Sequence, residues 1–383
     1  MTTPRVAIVH ERFTEFGGSE LVVAEFMKTW PDAQVFAPIT EPACRRQVLR
    51  AAGRDGTDPG TRGIGGSWLD RVYAATGRRS HAPFLPLVPP VLRGLRLRDD
   101  VDAVLVSHHA FATQSALATD APVVAYVHSP ARWAWDRTFR DQEIASRTGR
   151  LALSVLGGLA RRGERRAAPR LTRVIANSRA VATRVQDWWG LPSSVVHPPV
   201  RIDRFTVAPS IDREDFYLFA GRLVPYKRPD LAIRAAQRAG CRLMILGDGR
   251  FRDHLKSIAG PETTFLGAAA DDVLQDMYRR CRALLMPGVE DFGIVPVEAM
   301  ACGTPVLALG AGGALDTVVP GVTGMHVEAG PDELVIEQLA AAMRDFDPAD
   351  YDPAVVAAKA ATFAPAAFRA KIADTVAGAM RQT

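Results

Sequence analysis

Short apolar runs alternate with longer amphipathic stretches along most of this chain. The apolar runs form two series, four in the N-terminal half (5–10, 102–107, 122–128, 173–178) and five in the C-terminal half (216–222, 242–249, 263–267, 282–288, 304–310). Near-continuous apolar runs of this length are typical of strands buried on both faces of a parallel sheet. Stretches with helical spacing stand between them, for example at 20–30, 179–189, 229–239 and 271–280. The alternation predicts an α/β fold with two doubly wound parallel sheets, one in each half.

Three segments depart from this alternation. The segment 197–215 is rich in Pro and Asp and is interpreted as a linker, with a hinge near residue 200. Residues 50–98 are rich in Gly, Arg and Pro, have the weakest pattern, and are predicted to form a mobile loop. Residues 363–380 have the spacing of an amphipathic helix.

Composition narrows the class of protein. The chain has 383 residues, of which 48% are hydrophobic and 23% are charged, as in ordinary globular proteins. Its formal net charge of +5 favours an anionic partner, which is nucleic acid, an anionic membrane surface or a phosphorylated small molecule. The four cysteines form no C-x-x-C motif, so neither a zinc knuckle nor a disulfide framework is expected. Because no apolar run is long enough for a signal peptide or a membrane span, we expect a cytoplasmic protein that is not integral to a membrane.

The first candidate binding motif follows the first apolar run. In ERFTEFGGSE (11–20), Gly17 and Gly18 precede a helical stretch. Glycines at a helix start let backbone N–H groups approach an anion closely, and the helix dipole favours the negative charge. The alternative is a turn in which Ser19 is simply the N-cap of the helix.

The second motif, GRLVPYKRPD (221–230), follows the first strand of the second series. Arg222 and Lys227 lie on either side of Pro225, which favours a loop over a helix. A planar guanidinium and an ammonium together suit a diphosphate. The alternative is that both side chains are simply exposed to solvent.

The third motif, VEDFGIVPVEAMACGTPV (289–306), places Glu290 and Glu298 in an apolar run. Since proline is favoured at the first position of a helix, Pro296 predicts a helix that begins near Val295, with Glu298 in its first turn. Glu298 in that position has a simpler explanation, a favourable interaction with the helix dipole.

The same motif has a binding interpretation. The unpaired N–H groups at Gly293, Ile294 and Val295 would lie between the two carboxylates. Acceptor-only carboxylates on either side of N–H donors suit a polyhydroxylated ligand, with one carboxylate on a sugar and the other on a ribose.

These motifs together resemble a known family. EDFGIVPVEAMACGTPV is similar to the E-x7-E motif of retaining GT-B glycosyltransferases of family 4, and further matching segments occur in the family's order, namely GGSE, GRLVPYKR, LGDG (246–249), FLG (265–267) and GAGGALDTVVPGVTG (310–324). VHSPARWAWD (127–136) resembles the HSPxRxxWD signature of a mannosyltransferase-like subgroup. The resemblance implies a GT-B fold in which two Rossmann-like domains face a central cleft. The expected domains are an acceptor-side domain at 1–200, a donor-binding domain at 201–365, and a C-terminal helix at 366–383 that crosses back to the first.

The resemblance also implies roles for individual residues. Arg222 and Lys227 would bind the donor diphosphate, helped by the backbone at Gly18. Glu298 would bind the ribose hydroxyls, and Glu290 the transferred hexose. The remaining donor contacts would come from the backbone at Phe292, Gly293, Ile294, Val295 and Gly267, while His128 would lie beside the sugar near the reacting carbon. The implied catalytic set is therefore His128, Glu290, Arg222 and Lys227, and Asp316 stands where the family usually has Glu.

The implied reaction is transfer of a hexose from a nucleotide sugar with retention of configuration. Mannose from GDP-mannose is the leading donor, by the subgroup signature, and the acceptor would be a glycan, a glycolipid or a glycoside. Front-face transfer assisted by the leaving phosphate needs no protein nucleophile, and neither a cofactor nor a metal is expected. The alternatives are a UDP-sugar-dependent transferase, an epimerase or phosphorylase on the same fold, and a non-catalytic nucleotide-sugar-binding protein.

Other features favour no competing function. GAGGAL (310–315) lacks the third glycine of a dinucleotide fingerprint. His108 and His109 are adjacent on a strand and should point to opposite faces, so one metal ion cannot easily use both. The acidic stretch 345–347 is interpreted as surface, and no basic segment is interleaved with aromatics as in a single-strand nucleic-acid binder.

The basic stretch 147–173 leaves two interpretations open. It sets apolar side chains against a block of arginines, the apolar ones being Leu151, Leu153, Val155, Leu156 and Leu159. This pattern suits a helix that lies on an anionic membrane, which would make the protein peripheral to the inner face of the plasma membrane. It equally suits a domain helix that packs its leucines on the core and leaves a solvated basic end.

Overall fold

A computed structural model describes residues 4–54, 64–98, 100–137, 139–140, 147–208 and 212–382 of the chain. The protein folds as two compact units. The N-terminal unit runs to Pro199 and takes up the chain again at Pro365, and the C-terminal unit is Val200–Ala364.

The N-terminal unit is built on a sheet of seven parallel strands among the residues described. The strands are β1 (Val6–His10), β2 (Gln34–Phe36), β3 (Ile64–Gly65), β4 (Ala103–His108), β5 (Val123–Val127), β6 (Arg173–Ala176) and β7 (Ser194–Val195). The helices are α1 (Gly18–Thr29), α2 (Pro42–Ala51), α3 (Trp68–Ala75), α4 (Val88–Arg93), α5 (Arg132–Trp135), α6 (Arg147–Ala167) and α7 (Arg179–Trp189). The order β3-β2-β1-β4-β5-β6-β7 is that of a doubly wound sheet, whose order reverses between β1 and β4.

The C-terminal unit repeats this plan with six parallel strands in the part that is described. They are β8 (Tyr217–Ala220), β9 (Leu243–Leu246), β10 (Thr263–Gly267), β11 (Leu284–Met286), β12 (Val306–Leu309) and β13 (Gly324–Val327). The helices of this unit are α8 (Pro229–Ala239), α9 (Arg252–Ile258), α10 (Asp271–Arg280), α11 (Ile294–Ala301), α12 (Ala314–Thr317), α13 (Asp332–Asp345) and α14 (Pro353–Ala361). The order β10-β9-β8-β11-β12-β13 reverses between β8 and β11.

The predicted pair of doubly wound sheets is confirmed. Each of the nine apolar runs contains a strand, and the helices predicted at 179–189, 229–239 and 271–280 have those bounds. The sequence patterns missed β2, β3, β7 and β13, which have two to four residues each. A strand that short is not distinguishable by periodicity from an ordinary loop.

The predicted mobile loop at 50–98 is wrong for residues 64–98, and residues 55–63 lie outside the described part. The segment 64–98 contains β3, α3 and α4. Its apolar residues pair at i, i+4, since Leu69 and Tyr73 on α3 and Val88 and Leu92 on α4 are buried. Abundant Gly, Arg and Pro around these pairs hid the helical spacing.

The predicted linker at 197–215 is also shorter than expected. Val200 and Phe205 are buried in the core of the C-terminal unit, and the Val200 N–H donates to the carbonyl of Phe363 at 3.0 Å. A single turn of 3-10 helix, Ile202–Arg204, lies between them. Residues 200–208 are therefore part of that unit, because their two apolar side chains complete its core.

The last helix, α15 (Pro365–Met380), packs on the N-terminal unit. Phe368 stacks on Phe26 of α1 at 5.8 Å and meets Tyr126 of β5 edge-on at 5.5 Å. Ile372 and Val376 are buried in the same cluster. The apolar face of this helix thus completes the core of a unit that begins more than three hundred residues earlier in the chain.

Helix α6 uses one face for packing and leaves another in solvent. Ala160, Glu164 and Ala167 are buried, whereas Val155 and Leu159 are exposed. The side chain of Leu151 lies outside the described residues. Among the residues that the structure describes, no helix combines the length and apolarity needed to cross a bilayer.

A buried carboxylate on α6 anchors the segment that follows β5. Glu164 accepts hydrogen bonds from the Ala131 N–H at 3.0 Å and from the indole N–H groups of Trp135 and Trp189, and it lies 3.0 Å from His108 Nε2. Trp135, part of the HSPxRxxWD-like segment, also stacks on Trp188 at 5.7 Å. Four partners compensate the cost of burying this carboxylate.

Replacing Glu164 with Ala should strongly destabilise the protein. The change leaves buried N–H donors without an acceptor, each costing about 1–3 kcal/mol, so we expect the free energy of unfolding to fall by at least about 3 kcal/mol. Denaturant unfolding followed by tryptophan fluorescence measures this loss. Asp187→Ala, which removes an exposed carboxylate of α7, is the control and should change stability by less than about 0.5 kcal/mol. Equal effects of the two changes would show that Glu164 is not an anchor.

Candidate functional site

The candidate donor site lies where the strand order of the C-terminal sheet reverses. Strands β8 and β11 are neighbours, and the loops after them carry Lys227 and Glu290. At such a reversal the connections leave to opposite sides of the sheet and open a crevice at the carboxyl ends of the strands, where ligands bind. The topology therefore brings together two residues that are 63 positions apart.

Lys227 and Glu290 form a direct ion pair. Lys227 Nζ donates to Glu290 Oε1 at 2.6 Å, and the lysine is buried at the end of the 3-10 turn Pro225–Lys227. Burial alone would lower the pKa of Lys227, but Glu290 raises it above its ordinary value, so the ammonium stays charged. Arg222 is exposed and close enough for its charge to lower the pKa of Lys227 in part. The sequence motifs assigned this lysine and glutamate to different ligand groups, and the structure shows that they also bind each other.

The glycines of GAGGAL hold the Glu290 loop in place. The Gly313 N–H donates to the Glu290 carbonyl at 2.9 Å. A Cβ on Gly313 would lie 2.2 Å from the carbonyl oxygen of Phe292, and one on Gly312 would lie 2.4 Å from that of Glu290. Only glycine permits so close an approach of two backbones, which gives this motif a packing role in place of a dinucleotide fingerprint.

Helix α11 begins one residue earlier than predicted. Its N-cap is Gly293, with φ at +89°, and its first residue is Ile294. Pro296 is then the third helical residue, and Glu298 the fifth, beyond the first turn. The predicted first-turn position of Glu298, and with it the dipole explanation, is wrong, because the glycine supplies the left-handed conformation that starts the helix.

Glu298 has an unusual electrostatic environment. Burial raises its pKa to about 7, with a further contribution from Asp271, while Arg201 and the Tyr278 hydroxyl oppose the rise. The Tyr278 hydroxyl donates weakly to Glu298 Oε2 at 3.5 Å. This carboxyl group therefore changes its charge near neutral pH. Arg201 was overlooked in the sequence because its segment was interpreted as a linker.

The other predicted donor contacts are distributed around this crevice. Phe292 is buried and meets Phe363 edge-on at 5.4 Å, while Ile294 and Val295 are half-buried. Gly267 ends β10 with φ at +76°, and its carbonyl accepts the Gly247 N–H at 2.7 Å, so that carbonyl is already used within the fold.

Four further residues belong to motifs singled out in the sequence. Arg228, which follows the site lysine, has φ at +54° and ion pairs with Asp230 and Asp332 at 3.0 and 2.6 Å, so its role is structural. Asp316 is buried on α12. Asp345 and Asp347 are exposed, as expected for a surface segment.

The N-terminal glycine motif differs from its prediction in one respect. The N-cap of α1 is Gly17, not Ser19, and Gly18 is the first helical residue. Glu20 Oε2 accepts the Gly17 N–H at 3.0 Å and the Ser19 hydroxyl at 2.8 Å. The interpretation of Ser19 as the N-cap is therefore wrong, because Ser19 already lies inside the first turn and its hydroxyl donates to Glu20.

His128 follows β5 and is almost fully buried. Its Nε2 lies 2.8 Å from Ser107 Oγ, and its ring stacks on that of His109 at 4.5 Å. Burial, and then the nearby His109 and His10, hold the pKa of His128 well below its ordinary value, so the ring is neutral. The sequence motifs gave no sign of the Ser107 contact, which depends on the register of two strands.

His108 points to the opposite face of the sheet from His109, as strand alternation predicts. It contacts Glu164 and meets Trp189 edge-on at 5.2 Å. Among the described side chains, no three His, Cys, Asp or Glu residues cluster as metal ligands would. Gly18 and His128 lie in the N-terminal unit, whereas the other predicted site residues lie in the C-terminal unit.

Two family models match successive parts of the chain. Residues 16–204 match the family described as Glycosyltransferase Family 4, and residues 202–351 match Glycosyl transferases group 1. A D-inositol 3-phosphate glycosyltransferase of Mycobacterium sp. (strain KMS) is 33% identical over 190 residues, which are 43% of each chain. A protein of the same name from Geodermatophilus obscurus is 31% identical over 233 residues, 50% of this chain and 46% of the relative. The chain thus matches less than half the length of these relatives.

Two solved structures have the same fold. Anabaena HepE in complex with UDP and glucose is 20% identical with a TM-score of 0.69, covering 98% of this chain and 100% of that one. Sucrose-phosphate synthase from Thermosynechococcus elongatus is 15% identical with a TM-score of 0.70, covering both chains fully. The GT-B fold class expected from the sequence is confirmed.

Proposed function

We propose that this chain is a nucleotide-sugar-dependent glycosyltransferase that transfers a hexose with retention of configuration and without a metal ion. The observation that carries the proposal is the Lys227–Glu290 ion pair at the strand-order reversal of the C-terminal sheet. A cation that can hold phosphate and a carboxylate that can hold sugar hydroxyls stand together there, as a nucleotide sugar requires.

The proposed mechanism stabilises the leaving group. Departure of a nucleoside diphosphate builds negative charge on its β-phosphate. Lys227 and Arg222 provide positive charge for that oxygen, and groups already in place act most strongly where charge develops. Glu290 would accept hydrogen bonds from the sugar, and Glu298 from the ribose hydroxyls. Donor binding would therefore replace part of the Lys227–Glu290 contact by contacts to the ligand.

The donor we propose is GDP-mannose, on the strength of the HSPxRxxWD-like segment. HepE, whose structures contain UDP, glucose and UDP-glucose, supports a UDP-sugar as the second candidate. The acceptor is proposed to be a glycan, a glycolipid or a glycoside. The sequence relatives are named D-inositol 3-phosphate glycosyltransferases, so a phosphorylated cyclitol should also be tested as an acceptor.

Glu290→Gln should separate sugar transfer from nucleotide binding. The amide keeps the shape of the side chain but loses the charge, so we expect kcat to fall by about 10²–10³. Nucleotide binding should persist, because Lys227 and Arg222 remain. A thermal-shift panel of GDP, UDP, ADP, NAD and their sugar conjugates measures binding, since a ligand at about 100 times its dissociation constant stabilises the native state by about 2.7 kcal/mol.

The control is Glu333→Gln, which removes the charge of an exposed carboxylate that pairs with Arg238 at 3.1 Å. It should change neither transfer nor binding. Stabilisation of the wild type by GDP and GDP-mannose would support the proposed donor, and a preference for UDP or ADP would replace it. Stabilisation by NAD alone would contradict the proposal, and full activity of Glu290→Gln would contradict the role of this carboxylate.

Donor affinity should rise with pH around neutrality. The pKa of Glu298 is raised to about 7, so in the free protein the carboxyl is mostly protonated at pH 6 and mostly ionised at pH 8. If the ionised form accepts the ribose hydroxyls, the dissociation constant of a nucleotide sugar should fall by about tenfold between these pH values. Isothermal titration calorimetry measures it, and the diester phosphates of a nucleotide sugar do not titrate in this range.

Glu298→Gln should give an affinity that does not change with pH over the same interval. Relative to Glu298→Gln, the wild-type protein should also lose stability as the pH rises from about 4.5 to about 7, because a carboxyl whose folded pKa is raised is stabilising when protonated. A wild-type affinity that is flat with pH would show that Glu298 does not contact the ribose as a carboxylate.

We further propose that α6 binds an anionic membrane surface. Val155 and Leu159 are 63% and 41% exposed, and the arginines nearby include the exposed Arg162 and also Arg165, which stacks over Trp135. Apolar side chains beside guanidinium groups suit the interface of an anionic bilayer. The face that buries Ala160 and Glu164 packs on the unit, so the exposed face is available for this contact.

Val155→Ser with Leu159→Ser should reduce binding to vesicles that contain phosphatidylserine by at least about a hundredfold, since burying each side chain contributes about 1.5–3 kcal/mol and about 1.4 kcal/mol is a factor of ten. Vesicle co-sedimentation at low salt measures the bound fraction. The control is Leu334→Ser with Val355→Ser, which removes exposed apolar side chains of the C-terminal unit. Equal binding by all three proteins, or none to anionic vesicles, would contradict the membrane role of α6.

A further inference from the structure

Four buried polar side chains form a continuous chain of hydrogen bonds in the N-terminal unit. Glu20 Oε1 lies 3.1 Å from His10 Nε2, His10 Nδ1 lies 3.0 Å from Ser107 Oγ, and Ser107 Oγ lies 2.8 Å from His128 Nε2. We call Glu20, His10 and Ser107, together with His128, the histidine relay. It crosses the carboxyl ends of β1, β4 and β5, which are neighbours at the strand-order reversal of this sheet.

Because the relay is buried, each of its hydrogen bonds needs one donor and one acceptor from the chain itself, so all three hydrogen bonds must run in the same direction. His10 and Ser107 are fully buried, and Glu20 and His128 are less than one-tenth exposed. Water therefore cannot easily replace a missing partner, and each donor must face an acceptor within the chain. The register of the sheet fixes the order, because His10 is the direct partner of Ser107 across the β1–β4 pair.

Glu20 sets the direction of the hydrogen bonds in the relay. Burial alone would raise the pKa of Glu20, but its contacts with His10 lower it to about 2, so it is an ionised carboxylate at neutral pH. Its other oxygen already accepts the Gly17 N–H and the Ser19 hydroxyl. A carboxylate has no proton to give, so His10 must donate from Nε2.

The remaining protons follow from a neutral His10 ring. When that ring donates to Glu20 from Nε2, its Nδ1 is an acceptor and the Ser107 hydroxyl donates to it. The serine has then used its only proton, so its oxygen accepts from His128 Nε2. His128 is left with its proton on Nε2 and a lone pair on Nδ1.

The groups around the relay are few and come from the same three strand ends. His109 stacks on His128 and lies 6.0 Å from His10, and Tyr126 meets His128 edge-on at 5.1 Å. Burial lowers the pKa of His109 to about 4, so this neighbour is neutral as well. Glu11 and His108 have other partners, since Glu11 accepts the Phe111 N–H and His108 contacts Glu164 on the opposite face of the sheet.

We propose that Glu20, His10 and Ser107 are positioning residues that fix the His128 ring with its proton on Nε2, so that Nδ1 is an acceptor for a hydroxyl group of the substrate. The role of His128 toward a sugar rests on the proposed function. A neutral acceptor of fixed orientation selects a hydroxyl over an anionic group, because a lone pair repels negative charge. The relay thus adds specificity without adding a charge to the site.

The tautomer can be measured directly. Long-range ¹H–¹⁵N correlation spectra of protein labelled at histidine, recorded at pH 7.5 and assigned with His128→Gln, distinguish the two neutral tautomers. We expect the Nε2–H form of His128 in the wild type and a mixture of forms in Ser107→Ala and in Glu20→Gln, where the direction of the relay is no longer imposed. The Nδ1–H form in the wild type, or an unchanged tautomer in both variants, would overturn the proposal.

Two matched controls separate positioning from general packing. Ser115→Ala removes the hydroxyl of another fully buried serine, which donates to the Ala112 carbonyl at 2.7 Å. Glu25→Gln changes another buried glutamate of α1, paired with Lys28 at 2.7 Å. Neither should alter the His128 spectrum, whatever it does to stability, and a change of tautomer in the controls as large as in the relay variants would count against the relay.

Kinetics extend the test to function. Ser107→Ala and Glu20→Gln should lower kcat by about tenfold, as expected when a hydrogen bond that orients the substrate is lost, while the nucleotide affinity of the C-terminal unit stays unchanged. A wild-type protein that shows the Nε2–H tautomer but transfers no sugar would support the relay and contradict the proposed function. Transfer at the wild-type rate by both relay variants would contradict the relay and leave the proposed function intact.

Discussion

Parallel strands that wind outward in both directions from the middle of a sheet leave one place where the connecting loops diverge. In the C-terminal unit that place is between β8 and β11, and in the N-terminal unit it is between β1 and β4. Lys227 and Glu290 lie at the first, and the histidine relay lies at the second. The faces of the strands are covered by the apolar core, so the polar side chains gather at or near the carboxyl ends of the strands.

The buried charged groups at these two places are paired in different ways. In the C-terminal unit, a lysine and a glutamate neutralise each other at 2.6 Å, and both can turn to a ligand that offers phosphate and hydroxyl groups. In the N-terminal unit, the negative charge lies on Glu20 at one end of the relay, and the His128 ring at the other end is neutral. Burying an ion without a partner is costly, so each site keeps its charged groups paired until a ligand arrives.

Other contacts hold the loops and segments around the two sites in place. Glu164 ties α6 to the segment after β5, and thereby explains the tryptophan of the HSPxRxxWD-like signature as an anchor as well as a motif. The glycine pair of GAGGAL has a similar structural purpose beside Glu290. The segments that carry the sequence resemblance therefore include residues of the framework, and the matching family models name glycosyltransferases without naming a sugar.

The sequence by itself determined nine of the thirteen strands that the structure describes and the doubly wound class, and it singled out Lys227 and Glu290 as candidate site residues. These depend on local signals, since a buried parallel strand is a continuous apolar run and a phosphate or sugar contact needs particular side chains beside glycine and proline. Helix starts were less certain, as Ile294 and Gly17 show, because a capping glycine or glutamate can shift the first turn. Only the tertiary structure decided the Lys227–Glu290 pair, the raised pKa of Glu298 and the histidine relay. Each of these depends on burial and on the register between strands far apart in the chain, and neither quantity is encoded in any local pattern.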